Sequence, residues 1–135
     1  MKTSITRRVT FSAGHRLYNS AFDDAKNRRI FGDCANPNGH GHNYILEVTV
    51  TGEIDPETGM VINLKDMKRI ITEQVIAKVD HKNLNLDVDF MQGVIPTTEN
   101  VAHQIWEILD RAFGEGLLEN IVLHESENNR VKITR

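Results

Sequence analysis

The sequence predicts an α+β domain in which a four-stranded antiparallel sheet carries two helices on one face. Three observations lead there. Two long segments alternate apolar and polar residues with the period of a strand, two later segments repeat apolar residues with the period of a helix, and the chain closes on two short strand-like runs around a turn. Along the chain these give strand, long loop, strand, helix, helix, strand, strand, an order that a single sheet covered on one side satisfies.

The first strand reads from Ile5 to Leu17. Ile5, Arg7, Val9, Phe11, Ala13, His15 and Leu17 fall on one side, while Thr6, Arg8, Thr10, Ser12, Gly14 and Arg16 fall on the other. A polar connection from Asn19 to Asn38 follows, with a short helix expected at Asp23 to Arg29; connections of such length inside a compact domain are usually functional or disordered. In the second strand His40, His42, Tyr44, Leu46, Val48 and Val50 share the apolar side, and only Ile45 breaks the alternation. "DPETGM" at 55–60 is a turn, because Pro56 presets φ and Gly59 accepts a left-handed conformation. Asn63 then caps a helix from about Leu64 to Val79, with Leu64, Met67, Ile70, Ile71, Val75 and Val79 on its apolar face. After "PTTEN", Thr97 or Thr98 caps a second helix and Glu99 favours its positive start. Val101, Ile105, Ile108, Leu109 and Ala112 form its stripe, Trp106 and Phe113 lie at the margin, and Gly114 and Gly116 end it. "NIVLHESENNRVKIT" supplies the last two strands around a Glu-Asn-Asn turn.

At 135 residues, 39% hydrophobic and 26% charged, the chain fits one globular domain spanning residues 1–135. A net charge of −3 gives no general reason to bind nucleic acid or an anionic membrane. The N-terminus "MKTSITRRVTF" lacks the apolar core of a signal peptide, and no run approaches the ~18 apolar residues of a membrane span, so a cytoplasmic protein is expected. Its one cysteine excludes an internal disulfide, leaving packing, metal or association to stabilise the fold.

Strand parity brings three imidazoles together. His15 lies on the apolar side of the first strand, and His40 and His42 lie on the apolar side of the second. Three buried imidazoles without a shared ligand would need separate partners for several ring nitrogens, each costing about 1–3 kcal/mol if left unpaired. Three neutral nitrogen ligands with an open fourth position form a common catalytic zinc site, whereas structural zinc fills all four positions and favours thiolates. His103, on an exposed helix margin, and His124, on the face opposite Glu125, stand outside this set.

Three further features each allow two readings. Cys34 sits in a polar loop bearing Gly and Pro, either as an ordinary free thiol or as a base, a role that needs a nearby cation or metal to favour the thiolate. Asp80 and His81 in "VDHKNLN" either shuttle protons or simply end the helix that precedes them. Glu125 lines up with Ile121 and Leu123, so its carboxylate meets a cation or a ligand with N–H donors unless the strand ends before it.

The segments "FSAGHRL", "CANPNGHGHNY", "GEIDPETGMVINLKDMK", "DHKNLNLDV", "PTTENVAHQIWE" and "ESENN" together resemble the 6-pyruvoyl tetrahydropterin synthase family in order and spacing, over nearly the whole chain. The resemblance implies the tunnelling fold, with trimers forming a twelve-stranded barrel that often stacks as a hexamer. It implies zinc on His15, His40 and His42, Cys34 as catalytic base, Asp80 and His81 in proton transfer, and Glu125 as pterin anchor, with Thr97, Thr98 and Glu99 at the substrate. The reaction it implies converts 7,8-dihydroneopterin triphosphate to 6-pyruvoyl tetrahydropterin with loss of triphosphate, at a site that takes Cys34 and the zinc ligands from one chain and Asp80 and His81 from a neighbour. The related 6-carboxytetrahydropterin synthases share fold, zinc and substrate but typically have a shorter Cys-to-His-Gly-His spacing with Glu after Cys; here Ala35 follows Cys34. A zinc-containing pterin binder without turnover is the alternative from another class. Arg16 is a candidate for the triphosphate, although strand parity turns it outward.

Overall fold

A computed structural model describes residues 1–135, and each predicted strand and helix is present. The sheet is built from β1 (Thr3–His15), β2 (His40–Gly52), β4 (Leu118–His124) and β5 (Arg130–Thr134), paired antiparallel, with a two-residue strand β3 (Lys82–Asn83) added in parallel at the outer edge of β1. The strand order is β3-β1-β2-β4-β5. Sequence alone does not reveal β3, since two residues carry no periodicity.

The sheet's apolar side follows the predicted parity. Phe11, Ala13 and His15 of β1, Tyr44, Leu46, Val48 and Val50 of β2, and Ile121 and Leu123 of β4 are all buried against the helices. The first strand ends at His15 rather than Leu17, so parity does not extend to Arg16. On the opposite face polar side chains pair across strands, Thr6 with Thr49 at 2.7 Å and Glu47 with His124 at 2.6 Å.

The connection after β1 is ordered by a buried amide. Helix α1 (Asp24–Phe31) is capped by Asp23, whose side chain accepts from the Lys26 N–H. Asn27, only 1% exposed, accepts from the Asn19 N–H and donates to the carbonyls of Asn19 and Asp23, which folds the loop back on the helix. A short 3₁₀ turn, Gly32–Ala35, then leads toward β2.

Helix α2 (Leu64–Ile71), capped by Asn63, continues through a π-helical turn (Thr72–Ile76) into a last turn, α3 (Ala77–Val79). Met67, Ile71, Val75 and Val79 are fully buried and lie four residues apart. A regular α-helix turns ~100° per residue, so that spacing would carry Val79 ~120° around the helix from Met67. One π-helical turn absorbs an extra residue, ~100° of rotation, and keeps all four side chains on the sheet. Leu64, predicted for the same stripe, is exposed because the first turn stands clear of the core, whose first covered residue is Met67. Helix α4 (Thr98–Phe113) buries Val101, Ala102, Ile105, Trp106 and Leu109 and ends at Gly114, whose φ is +94°.

Candidate active site

The pairing of β1 with β2 places His15 directly opposite His40, and His42 two residues further along the same face. The three rings stand edge-on, with centroids 4.7, 5.1 and 4.9 Å apart, and all three can offer nitrogen atoms within 4.8 Å of one another. A sharp approach of the backbone makes this possible. Gly39 enters β2 at φ +70°, and a Cβ there would lie 2.7 Å from the His15 carbonyl oxygen.

These residues fit a metal ion. His15 Nδ1 lies 2.8 Å from the Pro96 carbonyl oxygen, so it carries the proton and leaves the Nε2 lone pair facing His40 Nε2 at 3.1 Å. Two nitrogens each ~2.05 Å from a tetrahedral ion stand ~3.3 Å apart, close to that separation. Burial pushes the His15 imidazole below its ordinary pKa, with the hydrogen bond to Pro96 opposing and His40 and His42 adding to the shift. The neutral imidazole so favoured is the form that binds metal.

Glu125 follows β4 immediately, and its carboxylate turns to the histidines. Oε2 accepts from Thr98 Oγ1 at 2.5 Å, and Oε1 lies 3.8 Å from His42 Nε2. The Glu125 N–H closes the turn by donating to the Asn129 carbonyl, which fixes where the carboxylate begins. Beneath it, Tyr44 stacks on Phe11 at 4.8 Å and presents an edge to His42. Burial, then the charge of Glu125, pushes the Tyr44 phenol above its ordinary value, so it stays protonated.

The sequence pattern describing 6-pyruvoyl tetrahydropterin synthase matches residues 4–135. The chain belongs to that family. Within it, the 6-pyruvoyl tetrahydrobiopterin synthase of Pongo abelii is 49% identical over 130 residues, covering 96% of this chain and 90% of the relative. The solved 6-pyruvoyl tetrahydropterin synthase of Caenorhabditis elegans superposes with a TM-score of 0.94 at 37% identity, over 100% of this chain and 96% of that one. A putative 6-carboxy-5,6,7,8-tetrahydropterin synthase of Archaeoglobus fulgidus is 35% identical over 97 residues, covering 71% of this chain and 76% of its own length. This is a family of enzymes, and its fold is the one described above.

Within this family member only some of the expected site residues meet. His15, His40, His42, Glu125 and Thr98 are brought together. Cys34 lies in the 3₁₀ turn, half-buried, and its carbonyl accepts from the Leu17 N–H at 2.8 Å. Arg16 also reaches this turn. Its Nε donates to the Ala35 carbonyl at 2.8 Å and its guanidinium stacks on Tyr18. Thr97 is occupied as the N-cap of α4, and Glu99 is exposed in the first turn.

Asp80 and His81 lie elsewhere, along the outer edge of β1. Asp80 Oδ1 accepts from the Ser12 N–H at 2.9 Å and lies 3.0 Å from His81 Nδ1, and the Ser12 N–H chiefly holds the Asp80 carboxyl below its usual range. His81 has φ +61°, the one non-glycine residue with positive φ, and its side chain is 83% exposed. No hydrogen bond or ion pair links either residue to Cys34, Glu125 or the three histidines. Sequence reasoning missed Pro96 and Tyr44 as site residues. Tyr44 was within reach, since it continues the even positions of His40 and His42, whereas nothing local marks Pro96.

Proposed function

We propose that the chain is a zinc-dependent lyase that converts 7,8-dihydroneopterin triphosphate to 6-pyruvoyl tetrahydropterin with release of triphosphate, acting in the cytoplasm as a homo-oligomer of trimeric rings, two of them in a hexamer. The convergence of His15, His40 and His42 beside the Glu125 carboxylate carries this reading. An all-nitrogen set with room for substrate is a catalytic zinc arrangement.

His15, His40 and His42 would hold the zinc, with Pro96 orienting the first of them. A zinc ion held there would supply Lewis-acid charge that favours loss of a carbon-bound proton from the substrate. Glu125 accepts the N–H donors of the pterin's amidine-like edge, and Thr98 keeps one carboxylate oxygen aimed for it. Cys34 removes the carbon-bound proton. His81, oriented by the ionised Asp80, moves a proton at the same substrate from a neighbouring subunit, a reading supported by the lack of any hydrogen bond or ion pair between this pair and the histidine cluster within one chain.

Two other readings predict different products. The archaeal relative bears the name of a 6-carboxy enzyme, which releases acetaldehyde from the same substrate, while a pterin binder would release nothing. Mass analysis after incubation with 7,8-dihydroneopterin triphosphate decides among them. The expected products are 6-pyruvoyl tetrahydropterin and triphosphate; acetaldehyde, or unaltered substrate with zinc-loaded protein, would overturn the proposal.

A further inference from the structure

Two consecutive backbone groups of the Cys34 turn are held by two consecutive residues beyond β1. The Leu17 N–H donates to the Cys34 carbonyl and Arg16 Nε donates to the Ala35 carbonyl, both at 2.8 Å. The position of Cys34 therefore depends on how firmly the chain is fixed just after His15.

That fixing comes from a third segment. Asn85 grips Arg16 from both sides of one residue: its Oδ1 accepts from the Arg16 N–H at 2.7 Å, and its Nδ2 donates to the Arg16 carbonyl at 2.9 Å. The amide thus stands in for a neighbouring strand at the point where β1 has ended. Asn85 is itself held, because its N–H donates to Asn83 Oδ1 at 2.9 Å, and Asn83 belongs to β3, which pairs with β1. The acceptor and donor of one side chain match the donor and acceptor of one backbone residue, a complementarity that neither Asp nor Ala reproduces.

We propose that Asn85 is a positioning residue for Cys34, acting through Arg16 and Leu17. This rests on the reading of Cys34 as catalytic base. Asn85 touches neither substrate nor metal in this role. It removes freedom from the turn that carries the thiol, and displacing a reacting group by about 1 Å can cost up to about 100-fold in rate.

The chain has a single cysteine, so alkylation by iodoacetamide reports Cys34 alone. In zinc-loaded protein, Asn85→Ala is expected to lower kcat about tenfold with KM little changed, and to change the rate of Cys34 alkylation about threefold or more. Asn85→Asp keeps the acceptor for the Arg16 N–H but sets a second acceptor against the Arg16 carbonyl, so it too should alter the alkylation rate. A stabilising role alone would lower Tm and leave alkylation of the folded protein unchanged. An unaltered alkylation rate in Asn85→Ala overturns the proposal, whatever happens to kcat. If Asn85→Ala does not fold, Asn85→Ser, too short to hold both backbone groups of Arg16, replaces it, and unaltered alkylation there is equally fatal. Wild-type turnover by Cys34→Ala would refute the base reading, and the alkylation measurements distinguish that failure from this one.

Discussion

The inner face of β1 and β2 and the outer edge of β1 place reactive groups in opposite ways. On the inner face, His15 is 1% exposed, its tautomer is set by a carbonyl, and its partners are fixed by strand register. At the edge, the His81 side chain is exposed and meets only its sequence neighbour Asp80, while its backbone, at a positive φ, donates an N–H to the Ser12 carbonyl. A metal ligand has to be rigid and desolvated, whereas a proton carrier has to reach solvent and a partner. In the proposed function this contrast means that the inner face is complete within one chain and the edge is completed by a neighbour.

The sharpest test removes a ligand. His40→Ala should eliminate most bound zinc and with it turnover, since two imidazoles cannot maintain the three-nitrogen site; full zinc occupancy by elemental analysis would break the comparison at its stronger side. Next comes Cys34→Ala, expected to lose roughly 100-fold or more in turnover while zinc content and pterin affinity hold. Single-turnover kinetics beside calorimetry separate those two quantities.

The claim that the edge is incomplete can be tested by mixing. Cys34→Ala and His81→Ala proteins, each inactive alone, should recover activity in roughly a quarter of sites once subunits exchange at random in a symmetric oligomer. No recovery after demonstrated exchange would place both groups in one chain's site. A smaller effect is expected from Glu125→Gln, which should weaken pterin binding by about 1.5–3 kcal/mol without altering zinc; equal affinity by calorimetry removes Glu125 from the pocket.

The smallest effect concerns Asp80. Its carboxyl lies below the usual range because the Ser12 N–H and His81 favour the charge, so its contribution to stability is present above the unfolded carboxyl range and is lost as pH falls through the lower folded value. Exposure and solvent screening keep that contribution modest. Denaturant melts of the wild type and Asp80→Asn should differ near neutral pH and converge in acid. A difference that does not change with pH would mean that the charge of Asp80 is irrelevant there.

How much of this was legible in the sequence follows from the same contrast. The common facing of His15, His40 and His42 is readable because a strand's period of two is local, and one buried neighbour fixes the facing of the rest, whereas Glu125, one residue past the end of β4, is left open by periodicity. The family resemblance added roles for Cys34, Asp80, His81 and Glu125, which periodicity left open. Other features depend on chain segments meeting in space. The π-helical turn exists because four apolar residues must share one sheet face, and Pro96, Asn85 and β3 act only through partners far along the chain. Arg16 shows the limit most plainly, since parity turned it outward but the strand ends one residue earlier and its side chain reaches Ala35.

The two margins of the sheet are unlike. On one side β1 has only β3 beside it, covering Ala13 and Gly14 and leaving Thr3 to Phe11 bare; on the other lies β5. In the proposed ring, with the β1 margin of one copy on the β5 margin of the next, copies would add head to tail, and every addition would leave one free margin of each kind. Such growth has no chemical stop. What ends it is an angle: if each copy turns the sheet by an integral fraction of a circle, the last margin meets the first, and otherwise the array spirals open. Twist and local bends, such as the register shift between Thr49 and Val50, set that angle. A substitution that straightens the bend would thus alter the number of copies in the proposed ring before it weakened the bond between any two.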